Sequence, residues 1–283
     1  MPFMARATTS PLPSLLAEPP SASLAIHWLG QAGFVIDLAG RRVVIDPCLS
    51  DTLATKYHGS ETPHERMMPA PVTPEGIAHV DAVLVTHAHT DHMDPGTLPA
   101  LLATNPAAPL LAPKAAQTQA IDRSGLDGGR LIPTDAGERL VFGPLTILPT
   151  RAAHEALERD DEGHHRFLGY GIEADGLRIW HSGDCVPIEG LVEEVAAWKP
   201  DIALLPVNGR RPELSARGIA GNFSLEEAVE LTQAIGAGAA ILHHYGLFAF
   251  NTESPERIDA TIAAHPDLAL FRARTGMVIT LDR

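Results

Sequence analysis

The chain of 283 residues carries only two cysteines, Cys48 and Cys185, which argues against a disulfide-stapled fold. Each follows a segment ending in Asp (IDPC and SGDC), so a buried structural thiol, a contact with a metal and a redox role all stay open. No apolar run approaches the ~18 residues needed to cross a bilayer, so no membrane partner is expected. Basic side chains are also scarce: 21 Lys and Arg against 35 Asp and Glu give −14 with neutral His. Such an acidic surface repels phosphate backbones and disfavours a nucleic-acid partner. Residues 1–23, MPFMARATTSPLPSLLAEPPSAS, lack the continuous apolar core of a secretory signal. Their Pro and Ser content predicts a flexible tail, and a cytoplasmic location is the expectation.

Histidine, by contrast, is plentiful. The chain has 14, several of them grouped at 87–92, 164–165 and 243–244, a distribution that points to a metal site. The densest group lies in VDAVLVTHAHTDHMD, Val80 to Asp94, where an apolar run ends in His87, His89, Asp91 and His92. The run is continuous rather than alternating and predicts a strand covered on both faces. If the backbone stays extended, His87 and His89 point to one side, with Asp91 and His92 in the following turn before a helix over 97–103. Imidazoles suit zinc, manganese or iron, and a carboxylate beside them widens the choice toward harder ions.

HxHxDH after an apolar strand resembles the signature of the metallo-β-lactamase superfamily of two-metal hydrolases. That resemblance implies, in order, a third His, an Asp closing a strand and a last His. PTRAAHE offers His154, IWHSGDC offers Asp184 and AILHHYG offers His244. It further implies that His87, His89 and His154 hold one divalent ion, that Asp91, His92 and His244 hold a second, and that Asp184 bridges them. Two positions stay open at this point. His164 and His165 compete with His154, and His243 competes with His244, which is favoured because Tyr245 and Gly246 after it resemble the family's HY segment. Spacing does not choose among zinc, manganese and iron.

Length and 45% hydrophobic content suit one large α/β domain, expected over residues 24–283. LAIHWLGQAGFVIDLAGRRVVIDP reads as short strands joined at Gly30 and Gly40, and FLGYGIEADGLRIWHSGD repeats that pattern down to its terminal Asp. The chain therefore looks like two related αβ halves, each bringing a sheet. Helices are predicted near 114–124, 187–198, 225–236 and 255–264. Ser224 with Glu227 forms a capping box for the third, and Ser254 with Pro255 starts the fourth. Two sheets packed face to face with helices outside would make a four-layer αβ/βα sandwich, which the resemblance also implies. Residues 49–73, with no periodicity, are either a loop over the site or a surface insertion.

Three further segments, WLGQAGFVID with IDPCLSD, LPVNGRRPELSARGIAGNFSLEEAVEL and ILHHYGLFAFN, resemble the L-ascorbate-6-phosphate lactonase family. The implied activity is metal-dependent opening of a phosphorylated sugar-acid lactone by a metal-bridging hydroxide, with Asp91 and Asp184 as the catalytic carboxylates. Asn208, Arg210 and Arg211 follow the apolar strand DIALLPV, and with Tyr245 they are the candidate substrate-binding residues, Arg being suited to phosphate. A solvated surface loop is the alternative reading of the arginines. The implied partners are a small-molecule substrate and further copies of the chain in a homo-oligomer. The second functional reading is a phosphodiesterase or ribonuclease of the same superfamily. A di-iron redox protein needs a flavin domain for which the chain has no room, and a non-catalytic module would be expected to have lost ligands.

Overall fold

The computed structural model describes residues 3–127 and 129–281. The strands are β1 (Phe3–Ala7), β2 (Leu24–Gly30), β3 (Gly33–Leu38), β4 (Arg41–Ile45), β5 (Ala82–Leu84), β6 (Leu110–Pro113), β7 (Leu131–Thr134), β8 (Leu140–Phe142), β9 (Leu145–Arg151), β10 (Leu168–Ala174), β11 (Leu177–His181), β12 (Ile202–Pro206), β13 (Ala239–His243), β14 (Leu270–Arg272) and β15 (Met277–Leu281). The α-helices are α1 (Leu12–Ala17), α2 (Thr52–Lys56), α3 (Leu98–Thr104), α4 (Gln117–Ser124), α5 (Leu191–Trp198), α6 (Pro212–Ser215), α7 (Leu225–Ala234) and α8 (Pro255–Ala264). The chain divides into two compact units, one comprising the residues up to Thr134 with Leu247–Phe250 and the segment from Arg274, the other Asp135–Gly246 with Asn251–Ala273.

The first unit is an eight-stranded mixed sheet in the order β1-β15-β2-β3-β4-β5-β6-β7. Its centre follows from composition: β3, β4 and β5 are rich in Val, Ile, Leu and Phe and are buried throughout except at Arg41. The β3–β4 hairpin turns at Ala39 and Gly40, both left-handed, and only glycine takes that conformation without steric cost. From β4 the sheet turns parallel through β5, β6 and β7. The carboxyl ends of β4 and β5 therefore lie side by side, and Asp46 and His87 follow those ends.

The expected loose tail is corrected for the described part of residues 1–23; Met1 and Pro2 lie outside it. Strand β1 pairs antiparallel with β15 from Phe3↔Leu281 to Ala7↔Met277, and Leu16 of α1 is fully buried. The anchor is Arg42, whose guanidinium pairs with Asp37 at 2.7 and 2.9 Å and donates to the Leu16 and Ala78 carbonyls at 2.7 Å. A buried fork of this kind satisfies donors and acceptors together. Its partners are distant in sequence, which is why composition alone read the segment as loose.

The second unit is a seven-stranded sheet in the order β14-β13-β12-β11-β10-β9-β8. Strands β11, β12, β13 and β14 run parallel, while β10 is antiparallel to both β9 and β11. It follows that β9, β11 and β13 point the same way and end at one edge of the sheet. The β10–β11 hairpin, with Asp175 and Gly176 left-handed, repeats the β3–β4 design, as the sequence repeat implied. Helix α7 carries the expected capping box: Ser224 Oγ accepts from Glu227 N–H at 3.2 Å, and Glu227 Oε2 accepts from Ser224 N–H at 2.9 Å.

Candidate metal centre

In the first unit, β5 ends at Leu84, so His87 and His89 are not on an extended strand as expected but in a tight turn. The turn closes through His92 N–H and Met93 N–H, which donate to the His89 carbonyl at 3.1 and 2.8 Å. This gathers the imidazoles: the His87 ring lies 4.5 Å from His89 and 4.0 Å from His92, centre to centre. His92 is fully buried and Asp91 partly so. Asp94, also buried, accepts from Thr97 Oγ1 at 2.6 Å, from Ser50 Oγ at 2.7 Å and from Gly96 N–H at 2.9 Å, and so pins the turn to the residues after β4. Gly96 must be glycine there, because a Cβ would stand 2.4 Å from Ser50 Oγ.

Asp46, just past β4, has a left-handed backbone and no exposed surface. Its carboxylate accepts from His92 Nδ1 at 2.7 Å, from Thr86 Oγ1 at 2.6 Å and from Thr86 N–H at 2.8 Å. A carboxylate only accepts, so His92 carries its proton on Nδ1 and turns Nε2 outward as a lone-pair donor. Thr86 Oγ1 spends its own proton on Asp46 and therefore accepts from His87 Nδ1 at 3.0 Å, which leaves His87 the same tautomer. Gln31 Nε2 donates to Asp91 Oδ2 at 2.9 Å. Carboxylate and hydroxyl partners that orient imidazoles in this way are the usual support of metal ligands. None of Gln31, Asp46, Thr86 and Asp94 stands out in the sequence; the signal that could have found Asp46 is that VVID and IWHSGD both end a hairpin in Asp.

In the second unit, His154, Asp184 and His244 each follow the carboxyl end of one of the co-directional strands β9, β11 and β13. His154 Nδ1 donates to the Gly221 carbonyl at 3.0 Å, leaving Nε2 3.5 Å from Asp184 Oδ2. His244 Nε2 lies 3.3 Å from Asp184 Oδ1. Both oxygens of one buried carboxylate thus face imidazole nitrogens. His244 sits at φ +61°, so a left-handed turn separates it from His243 rather than strand alternation. His243 turns instead toward the His181 ring, 5.0 Å away, and burial with His181 and His244 nearby pushes its pKa well down. The rival histidines are engaged with acids of their own, His165 with Asp135 at 2.8 Å and His164 with Asp160 at 3.3 Å.

Each unit thus gathers donors of its own, His87, His89, Asp91 and His92 in the first and His154, Asp184 and His244 in the second, and all seven are among the His and Asp side chains that could hold a metal ion. The donor chemistry fits divalent transition ions, since oriented imidazole lone pairs and buried carboxylates crowd together in an arrangement that a shared cation relieves.

Residues 41–245 match the family described as the β-lactamase superfamily domain. The chain belongs to the metallo-β-lactamase superfamily of metal-dependent hydrolases. It is 30% identical to a UPF0173 metal-dependent hydrolase of Cupriavidus taiwanensis, over 94% of this chain and 90% of that one. Among solved structures, it shares its fold with a metallo-hydrolase of Ignicoccus hospitalis (TM-score 0.64, 19% identity, 92% of this chain and 99% of that one). An isothiocyanate hydrolase from Delia radicum gut bacteria is similar in fold as well (TM-score 0.68, 18% identity, 91% and 98%). The fold is thus the α/β arrangement of the metallo-β-lactamase type.

The candidate substrate residues are a different matter. Arg210 is braced internally, donating to the Asn222 carbonyl at 3.1 Å and pairing with Glu227 at the start of α7. Asn208 exchanges side-chain bonds with Asn251 and Asn222, both at 3.0 Å. Tyr245 is buried, its hydroxyl donating to the Ala273 carbonyl and accepting from Arg272 at 3.0 Å. Each of these three side chains has partners within its own unit, Arg210 while remaining exposed. Arg211 is half-buried at the start of α6. The two thiols are free and buried: burial, with Asp94 and Asp91 nearby, pushes Cys48 well up, and burial pushes Cys185 up to about 12. Among the described residues no helix is long and apolar enough to cross a membrane.

Proposed function

We propose that the protein is a dinuclear lactonase that opens a small sugar-acid lactone, phosphorylated in its natural form, with His87, His89 and His154 on one cation, Asp91, His92 and His244 on the other, and Asp184 shared. The observation that carries this reading is the position of Asp184, whose two oxygens lie 3.5 and 3.3 Å from His154 Nε2 and His244 Nε2. Bound divalent ions would supply a polarised carbonyl and a water of pKa near ~7. Asp46, Thr86 and Gly221 keep His92, His87 and His154 in the tautomer that donates from Nε2. Asp91, whose Oδ2 accepts from Gln31 Nε2, takes the proton from the attacking water and returns it to the leaving alkoxide. Water and the ring ester thereby become a hydroxy acid, with no Ser or Cys nucleophile.

Phosphate recognition falls to the segment that carries Asn208, Arg210 and Arg211. It follows β12, which runs parallel between β11 and β13 and so delivers residues 207–211 to the edge where Asp184 and His244 lie. The planar fork of an arginine matches a phosphate. The test is a screen of plain and phosphorylated sugar lactones, phosphodiesters, thioesters and isothiocyanates with metal-stripped protein and with zinc- and manganese-loaded protein. Metal-dependent lactone hydrolysis is expected, with Arg211→Ala raising KM for the phosphorylated lactone far more than for its plain analogue. Strong phosphodiester cleavage without lactone hydrolysis would overturn the reading in favour of a nuclease or phosphodiesterase.

A further inference from the structure

Two consecutive residues grip one glycine. His154 donates from Nδ1 to the Gly221 carbonyl at 3.0 Å, and Gly221 N–H donates to Glu155 Oε1 at 2.9 Å. Ser215 Oγ donates to the same Glu155 oxygen. For neighbouring side chains to reach the carbonyl and the N–H of one residue, the backbone turns at Glu155 with φ +69°, a left-handed conformation that a non-glycine residue adopts only under strain. Gly221 is held from its other side too. A Cβ there would stand 2.4 Å from the Gly209 carbonyl oxygen and 2.6 Å from Arg210 Cα. The flanking backbone is zipped by Asn222 N–H to Gly209 O and Gly209 N–H to Phe223 O, each 3.0 Å, with Arg210 donating to the Asn222 carbonyl at 3.1 Å.

We propose that Glu155 is a positioning residue: by holding the Gly221 amide it aims the Gly221 carbonyl at His154 Nδ1 and so fixes the tautomer in which His154 Nε2 faces Asp184. The physical basis is that an imidazole has one mobile proton and two nitrogens, so whichever nitrogen finds an acceptor keeps the proton and leaves the other as donor to a cation. Without the Glu155 carboxylate, the Gly221 N–H loses its acceptor, and Gly221, whose carbonyl plane is anchored on its other side by Asn222 N–H on Gly209 O, loses the second hold that keeps the carbonyl aimed at Nδ1. The left-handed turn is then strain with a purpose, since it lets neighbouring side chains clasp both ends of the same glycine. The consequence for cation binding rests on the function proposed above, whereas the tautomer itself does not.

The test uses the metal-free full chain with 15N-labelled histidine, at a pH of about 8, above the usual imidazole range. Long-range 1H–15N spectra distinguish protonated from unprotonated ring nitrogens, and His154 is assigned by the signal lost in His154→Gln. The wild type should carry the proton on Nδ1. Glu155→Ala should shift His154 toward the Nε2–H form and weaken zinc uptake roughly 10- to 100-fold, while Glu155→Gln, which keeps the accepting oxygen, should restore both. Glu155→Gly removes the left-handed strain, so it should melt no lower than the Ala variant yet show the same tautomer change; it also serves should the Ala variant not fold. An unchanged Nδ1–H signal and unchanged zinc affinity in a folded Ala or Gly variant would overturn the proposal. A wild type that takes up no divalent cation would instead overturn the proposed function, with the His154 nitrogen shifts still deciding the role of Glu155.

Discussion

Replacing Asp46 by Asn is the sharpest test of how the imidazoles are aimed, because the change is nearly isosteric and leaves every proposed ligand in the sequence. In the wild type Oδ2 accepts from His92 Nδ1 at 2.7 Å and from Thr86 Oγ1 at 2.6 Å, while Oδ1 accepts from Thr86 N–H at 2.8 Å. An amide has a single accepting oxygen. If it stays on the backbone N–H, its NH2 faces two groups that need an acceptor, and His92 must move its proton to Nε2, the atom required by a cation. A hydrogen bond with a charged partner contributes about 1.5–3 kcal/mol, and each ~1.4 kcal/mol is tenfold in affinity. Zinc or cobalt uptake should therefore weaken roughly 10- to 100-fold. The measurement is a competition titration against a chromophoric chelator, with thermal unfolding of the metal-free variant alongside to establish that it is folded. Thr86→Val, which removes the hydroxyl link between Asp46 and His87, should weaken uptake in the same direction. A folded Asp46→Asn protein whose affinity stays within about twofold of wild type would refute the reasoning.

Asp184→Ala should lose both cations, because both of its oxygens face imidazole nitrogens; metal analysis after dialysis that returns a full complement, with turnover intact, would reject a shared carboxylate. The thiols supply a prediction of opposite kind. Burial raises the pKa of Cys48 and Cys185, so both stay protonated at neutral pH and should be silent to a thiol-specific disulfide reagent in the folded protein, then react fully on unfolding. Rapid native-state labelling of either would show an accessible thiolate.

Much of the chemistry was legible in the chain because it is local. His87, His89, Asp91 and His92 fall within six residues, and any turn at the end of an apolar strand brings such neighbours together. The capping box at Ser224 and Glu227 and the two Gly-turned hairpins ending in Asp46 and Asp184 are equally short-range, so a few side chains and backbone rules sufficed to place them. Even there the local conformation departed from simple periodicity. The motif is a tight turn rather than extended chain, and His244 leaves β13 through a left-handed residue.

What the tertiary structure decided involves partners far apart in sequence. Which histidine accompanies Asp184 depends on the folded path that brings His154 Nε2 to 3.5 Å from it, with Gly221, 67 residues away, accepting from Nδ1. Arg210 is braced by Glu227 and the Asn222 carbonyl, and Arg42 and β15 gave residues 3–17 an order that their Pro-rich composition conceals. Residue type sets what a side chain can bond; only the folded path of the chain sets which partner arrives first, and a donor already satisfied is no longer available to a ligand.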